Sequence, residues 1–143
     1  MTDDMTRLRG LAEQIAPADA IEEDDVGFTL AFPSATLMFF SPGGHSVAGY
    51  CRAPVAELGG AEFPMAFAEE ALNGNFFWRG TGGAVISYEE ESGTVWLTDR
   101  FDEGAFEDGA DFREYVEGFL NTLEDWRARF ALRVPASAEG MEA

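Results

Sequence analysis

The sequence predicts an α+β domain in which an antiparallel sheet carries three helices, in the order α-β-β-β-α-β-β-α. Three observations lead there. Apolar residues alternate with period two over residues 26–32 and crowd the strand-like segments 36–41, 46–58, 83–89 and 94–101. They recur at helical spacing over 3–16, 63–72 and 110–132. Strands and helices also come in groups, whereas a parallel sheet would need them to alternate. The 143 residues, 46% of them hydrophobic, suit one domain able to bury a core without staples. Residues 1–135 are expected to form that domain, and 136–143 a flexible tail.

The first helix opens on Thr2, Asp3 and Asp4, which supply capping oxygens and acids suited to the helix dipole. Met5, Leu8, Leu11, Ala12 and Ile15 share one face, and Pro17 stops the helix. "IEEDD" at 21–25 reads as a charged connection. In "VGFTLAF" Val26, Phe28, Leu30 and Phe32 point one way, and Pro33 and Ser34 turn the chain. "TLMFFS" is apolar on both faces, Leu37 and Phe39 opposing Met38 and Phe40. A third strand follows the "PGGH" loop, with Pro54 favouring an edge or a bulge.

"FPMAFAEEAL" makes a short second helix that needs packing to persist. The aromatics Phe76, Phe77 and Trp78 then run into Gly80, Thr81, Gly82 and Gly83, read as a sharp corner into a hairpin turned at Gly93. The last helix is the longest. Phe112, Tyr115, Val116, Phe119, Leu123, Trp126 and Phe130 form its stripe.

Twenty-seven acids against nine bases give a net charge of −18, and every base is an arginine. Such a field opposes nucleic acid and anionic membrane, so neither is expected as a partner, and it favours a basic or amphipathic one. No apolar signal-peptide core and no long apolar span stand in the chain, so a cytoplasmic protein is expected. A phosphate-binding loop needs a lysine after its glycines, and the chain has none. Cys51 and His45 alone are too few for zinc, and "DEGAFEDGAD" breaks the alternation of a calcium loop. Cys51, in an apolar run, reads as a small core residue. No catalytic residues, metal or cofactor are assigned.

What remains is apolar surface. Three helices are few to cover a sheet that is apolar on both faces, so some of Phe39, Phe40, Phe76, Phe77, Trp78 and Trp96 are expected outside the protomer core, where such patches mark interfaces. Two other readings stand beside this one. The first is a small-molecule-binding domain or small enzyme with an aromatic cleft around Trp78, Trp96 and His45. The second is a regulatory binding module of related fold.

The stretch "EEALNGNFFWRGTGGAVISYEEESGTVWLTDRF", followed by "FREYVEGFLNTLEDWRARF", resembles the class I type III secretion chaperones of the Tir chaperone family. The likeness rests on Leu72, Asn75-Phe76, Thr81-Gly82-Gly83, Ser92-Gly93 and Trp126-Arg127, while Trp78 departs from the small residue the family often has there. The resemblance implies a homodimer that needs no ATP, binds the N-terminal segment of a secreted effector in extended form, and delivers it to the secretion apparatus. It implies a dimer interface at Phe67, Leu72, Phe76, Val85 and Ile86. It implies effector contacts at Leu8, Leu11, Ile15, Phe28, Leu30, Phe39 and Trp96.

Overall fold

The structure, a computed structural model, describes residues 2–42, 49–102 and 104–134. Helix α1 spans Asp3–Glu13, and the Thr2 hydroxyl accepts the Met5 N–H at 3.2 Å. It ends short of the expected residue 16, because Pro17 disfavours helical backbone before it and a 3₁₀ turn follows at Ala18–Ala20. Six strands then build one antiparallel sheet: β1 (Ile21–Glu23), β2 (Gly27–Ala31), β3 (Thr36–Phe40), β4 (Gly49–Glu57), β5 (Val85–Glu89) and β6 (Thr94–Phe101). Their spatial order is β1-β2-β3-β4-β6-β5. Helix α2 covers Met65–Asn75 and α3 covers Gly109–Arg133.

The architecture is the expected α+β sheet with three helices, with one addition. "IEEDD" is more than a connection, since Ile21–Glu23 pair with β2 and the order becomes α-β-β-β-β-α-β-β-α. Ile21 explains the strand. It pairs with Leu30 and is buried, whereas three residues are too few to show a period. Asp24 closes the turn by accepting the Val26 and Gly27 N–H groups at 2.9 and 2.8 Å.

The core lies between one face of the sheet and helices α1 and α3. Phe28, Leu30, Leu37, Phe39, Cys51, Ala53 and Leu97 point into it, and from the helices come Met5, Leu8, Phe112, Val116, Phe119 and Leu123. Phe39 stacks on Phe28 with ring centroids 5.2 Å apart and tilts against Phe112 at 5.3 Å, which ties β2, β3 and α3 together. On α3 the Asp108 side chain accepts the Asp111 N–H at 2.9 Å, and the expected stripe is the buried one, with Tyr115 and Phe130 half-buried at its margins.

Pro54 sits where β4 is irregular, as the register against β6 shifts between Pro54 and Ala56. The carbonyl of Pro54 is taken up by Arg127 of α3, whose Nε and Nη2 donate to it at 3.1 and 2.8 Å while Nη1 reaches the Ser34 carbonyl at 2.6 Å. One arginine thus joins the long helix to the bulge and to the β2–β3 turn.

Helix α2 packs on β5 and α3. Phe67 is fully buried against Trp126 and Phe130, with centroids 6.0 and 5.0 Å apart. Glu70 of α2 accepts from Arg129 at 2.9 Å and Arg133 at 2.8 Å, and these arginines hold its carboxyl below the usual range. Asn75 closes the edge of the sheet. Its Oδ1 accepts the Ile86 N–H at 2.9 Å, and its Nδ2 donates to the Ile86 carbonyl at 3.0 Å. A side-chain amide here takes the place of a neighbouring strand.

Candidate functional site

The glycine-rich stretch is a corner, and Trp126 is what it turns around. The indole N–H donates to the Gly80 carbonyl at 2.8 Å, and the Gly80 N–H donates to the Gly74 carbonyl at 3.0 Å. A Cβ on Gly74 would lie 2.4 Å from Trp126 Cζ2, so α2 can cross the indole only through glycine. Gly82 and Gly83 carry φ of 64° and 100°, and buried Thr81 ties the turn by a hydroxyl bond to the Ala84 carbonyl. No helix begins at these glycines, so no helix N-terminus is offered to a phosphate.

The corner also sets an aromatic cluster outside the core. Phe77 and Trp78 have left-handed backbone, φ 49° and 57°, which bulky residues rarely adopt. Phe76 and Phe77 meet edge to face at 4.7 Å, and both are exposed, as is Trp78. With Met65 and Leu72 of α2, each more than 70% exposed, they make an apolar margin beside β5. Left-handed non-glycine backbone costs of order 1–3 kcal/mol and persists where the surroundings fix it. Here the glycine corner fixes it.

A second surface is the sheet face turned away from α1 and α3. Cross-strand partners share a face, so the register Thr29–Met38–Arg52–Thr98–Val85 runs one row across it. Phe40, Tyr50 and Arg100 form the next row, and Trp96 lies opposite Pro54 and Ser87. Phe40 stacks on Tyr50 at 5.5 Å. Where this face meets the corner, a cleft of about 680 Å³ opens, lined by Tyr50, Trp78, Val85, Ser87, Thr98 and Arg100 among others.

Of the expected interface residues, Leu72, Phe76 and Val85 are exposed around the end of α2, the corner and the start of β5. Phe67 and Ile86 are buried within the protomer, where they join α2 to α3 and β5 to β6. Of the expected effector contacts, Leu8, Leu11, Phe28, Leu30 and Phe39 are core residues, all 8% exposed or less. Leu8 and Leu11 lie on the buried face of α1, and the three strand residues are the inward half of the alternation. Ile15 is half-buried in a depression with Phe32, Val116 and Leu120, and half-buried Trp96 stands on the outward sheet face. The outward residues Met38, Phe40, Tyr50 and Arg52 carried their own signal, since each alternates with a core residue of its strand. The left-handed Phe77 and Trp78 carried none, because backbone sign at an aromatic cannot be read from sequence.

The alternative aromatic cleft is present only in part. Trp78 lines the cleft, Trp96 lies outside its lining, and His45 falls outside the described residues. A polar spot lies on the inner face. Tyr115 donates to Asp99 Oδ2 at 2.8 Å beside Cys51. Burial, reinforced by the Asp99 charge, pushes the Cys51 thiol up, and burial with the same neighbours pushes the Tyr115 phenol up, so both stay protonated. Among the described residues, no three His, Cys, Asp or Glu side chains converge to hold a metal, and no helix is long and apolar enough to cross a membrane.

Known proteins bear on these surfaces. Comparison with curated proteins finds no match. Among solved structures, the chain is similar to one from the crystal structure of the ExsC–ExsE complex, with TM-score 0.65 and 16% identity, over 90% of this chain and 97% of that one. It is also similar to one from the HopA1–SchA chaperone–effector complex, with TM-score 0.56 and 16% identity, over 88% and 89% of the two chains. At such identity the likeness is one of fold. The sequence itself matches the model of the Tir chaperone protein (CesT) family over residues 26–127, from the start of β2 into α3 and so through the corner and strands β2 to β6 of the outward sheet face. The chain belongs to the Tir chaperone protein (CesT) family.

Proposed function

We propose that this protein is a type III secretion chaperone that acts as a homodimer without ATP, holding the N-terminal segment of an effector in extended form and keeping it soluble for export. The observation that carries this reading is the two-sided use of apolar surface. One sheet face is spent on the core, and the other still presents Met38, Phe40, Tyr50 and Trp96, at the margin of which stand exposed Leu72, Phe76, Phe77 and Trp78. Apolar area of that extent on a chain of net charge −18 suits protein neighbours. Family membership supports the same role, and one similar structure is itself a chaperone–effector complex.

The two surfaces divide the work. The α2–corner margin is assigned to the second copy, with Leu72, Phe76 and Val85 in the contact and Phe67 and Ile86 supporting it from beneath. The outward sheet face is assigned to the client, with Trp96 in contact. Leu8, Leu11, Phe28, Leu30 and Phe39 then serve the client indirectly, by fixing the sheet whose other side it touches. An extended segment supplies side chains to preformed pockets, and ordering it costs about 2–5 kcal/mol, so several pockets must fill together. Binding and release by mass action need no nucleotide, and a cytoplasmic location before export follows.

Co-expression with the products of adjacent genes tests the role. One of them is expected to co-purify through its N-terminal segment and to lose solubility when expressed alone. Failure of every adjacent product to bind, each being soluble by itself, would contradict the reading.

A further inference from the structure

At the centre of the outward sheet face stands a charge of the minority sign. The chain has 27 acids and nine arginines, yet the middle of this face is Arg52. Its guanidinium lies between two rings, 4.1 Å from the centroid of Trp96 and 5.1 Å from that of Phe40. Five of the other eight arginines end on protein oxygens: Arg7 on the Phe106 carbonyl, Arg9 on Glu13 and Glu23, Arg127 on Pro54 and Ser34, and Arg129 and Arg133 on Glu70. Arg52 has no such oxygen among the described residues, and its Nε is buried without a hydrogen-bond partner.

Among the described residues no acid hydrogen-bonds to it. Glu89 is attracted by Arg52, but its carboxylate accepts from the Ser92 hydroxyl and, at 3.2 Å, from the Trp96 indole. Asp99 accepts from Tyr115 on the opposite side of the sheet and from the Arg100 N–H. Arg100 adds a second positive charge one row away, on the rim of the cleft. With two rings this close and Nε buried, the Arg52 guanidinium has its terminal Nη donors to offer, a fork that fits a carboxylate.

We propose that the outward sheet face receives an extended client segment in which apolar side chains flank a glutamate or aspartate. The side-chain carboxylate caps Arg52, and an apolar neighbour fills the cleft between Tyr50, Trp78 and Val85. This rests on the chaperone reading and names the chemistry of its client. It reverses what net charge alone suggests, a basic client. The distant acids act through solvent and are screened beyond roughly 8 Å at physiological salt, whereas Arg52 acts at contact. Side chains on one face of an extended segment recur every second residue, so the apolar partners belong two positions either side of the acid.

Three synthetic peptides test it: extended segments with valine at alternate positions and glutamate, glutamine or lysine at the centre, titrated by fluorescence anisotropy. The glutamate peptide is expected to bind about tenfold tighter than the glutamine one, in line with hydrogen bonds to charged groups, and the lysine one to bind weakest. Arg52→Gln should abolish the preference while keeping the glutamine peptide bound, Arg52→Lys should restore part of it, and Arg52→Glu should favour lysine. Equal binding of glutamate and glutamine, a glutamate preference surviving Arg52→Glu, or a sedimenting mass changed by Arg52→Gln would overturn the inference and leave the chaperone reading standing. Failure of all three peptides to bind would count against the client face and the chaperone reading together.

Discussion

At Trp126 one indole does three things: it fills the space under α2, bonds to the corner through Gly80, and takes Phe67 on its edge. Its neighbours are constrained accordingly. Gly74→Ala places a methyl group against the ring and is expected to cost about 1–3 kcal/mol, the usual range for overpacking a core. A shift in the urea midpoint at unchanged slope checks it, and an unchanged midpoint would mean the ring can move aside. Residue roles of this kind were half-legible. Trp126 belonged to a helical stripe, and the glycines marked a corner, but nothing in the order of letters linked Gly74 and Gly80 to a tryptophan some fifty positions on. Contact across that distance is set by packing, and periodicity does not encode it. The same limit divided the proposed contact residues. The family resemblance implied Phe28, Leu30 and Phe39 as contacts, but their apolar character on the inward side of each strand is what buries them.

Among the elements, β5 is the informative one. It is an edge strand of five residues, partnered only by β6 within the sheet, and its free edge is met at Ile86 by the Asn75 amide. Asn75→Ala leaves that N–H and carbonyl without their partner. A loss of about 1–2 kcal/mol is expected, with faster amide exchange at Ile86 than at neighbouring core amides; an unchanged exchange rate would contradict the clamp. The ion pairs joining α2 to α3 make a smaller, pH-dependent contribution. The folded state lowers the Glu70 pKa, so the stabilisation is present above the unfolded value and lost as pH falls through the folded one. On a solvent-accessible pair this amounts to under about 1 kcal/mol. Glu70→Gln should therefore lower the melting temperature slightly at neutral pH, and the gap from the unchanged protein should close in acid. At this scale the sequence was most legible, because long stripes and two-residue alternation survive folding. It failed at β1, where three residues hold no period, and at the C-terminal end of α1, where proline geometry shortened the helix.

For the whole molecule, the governing fact is a sheet that, among the described residues, is covered on one face only. Its outward face and the α2–corner margin leave aromatic and aliphatic side chains that no helix of the described residues covers. A charge placed at Ile86 would report on protomer folding, because that residue is internal. Leu72 is the sharper probe, being 72% exposed and free of core packing. Leu72→Asp should leave the folded protomer and its melting temperature nearly unchanged while opposing association through a charge at the contact.

Sedimentation equilibrium at micromolar concentration tests the central claim, that this apolar margin belongs to a second copy. The unaltered protein should sediment at twice the 15.6 kDa protomer mass, and folded Leu72→Asp at the protomer mass. A 15.6 kDa particle for the unaltered chain throughout the micromolar range, or a Leu72→Asp dimer as tight as the original, would contradict it.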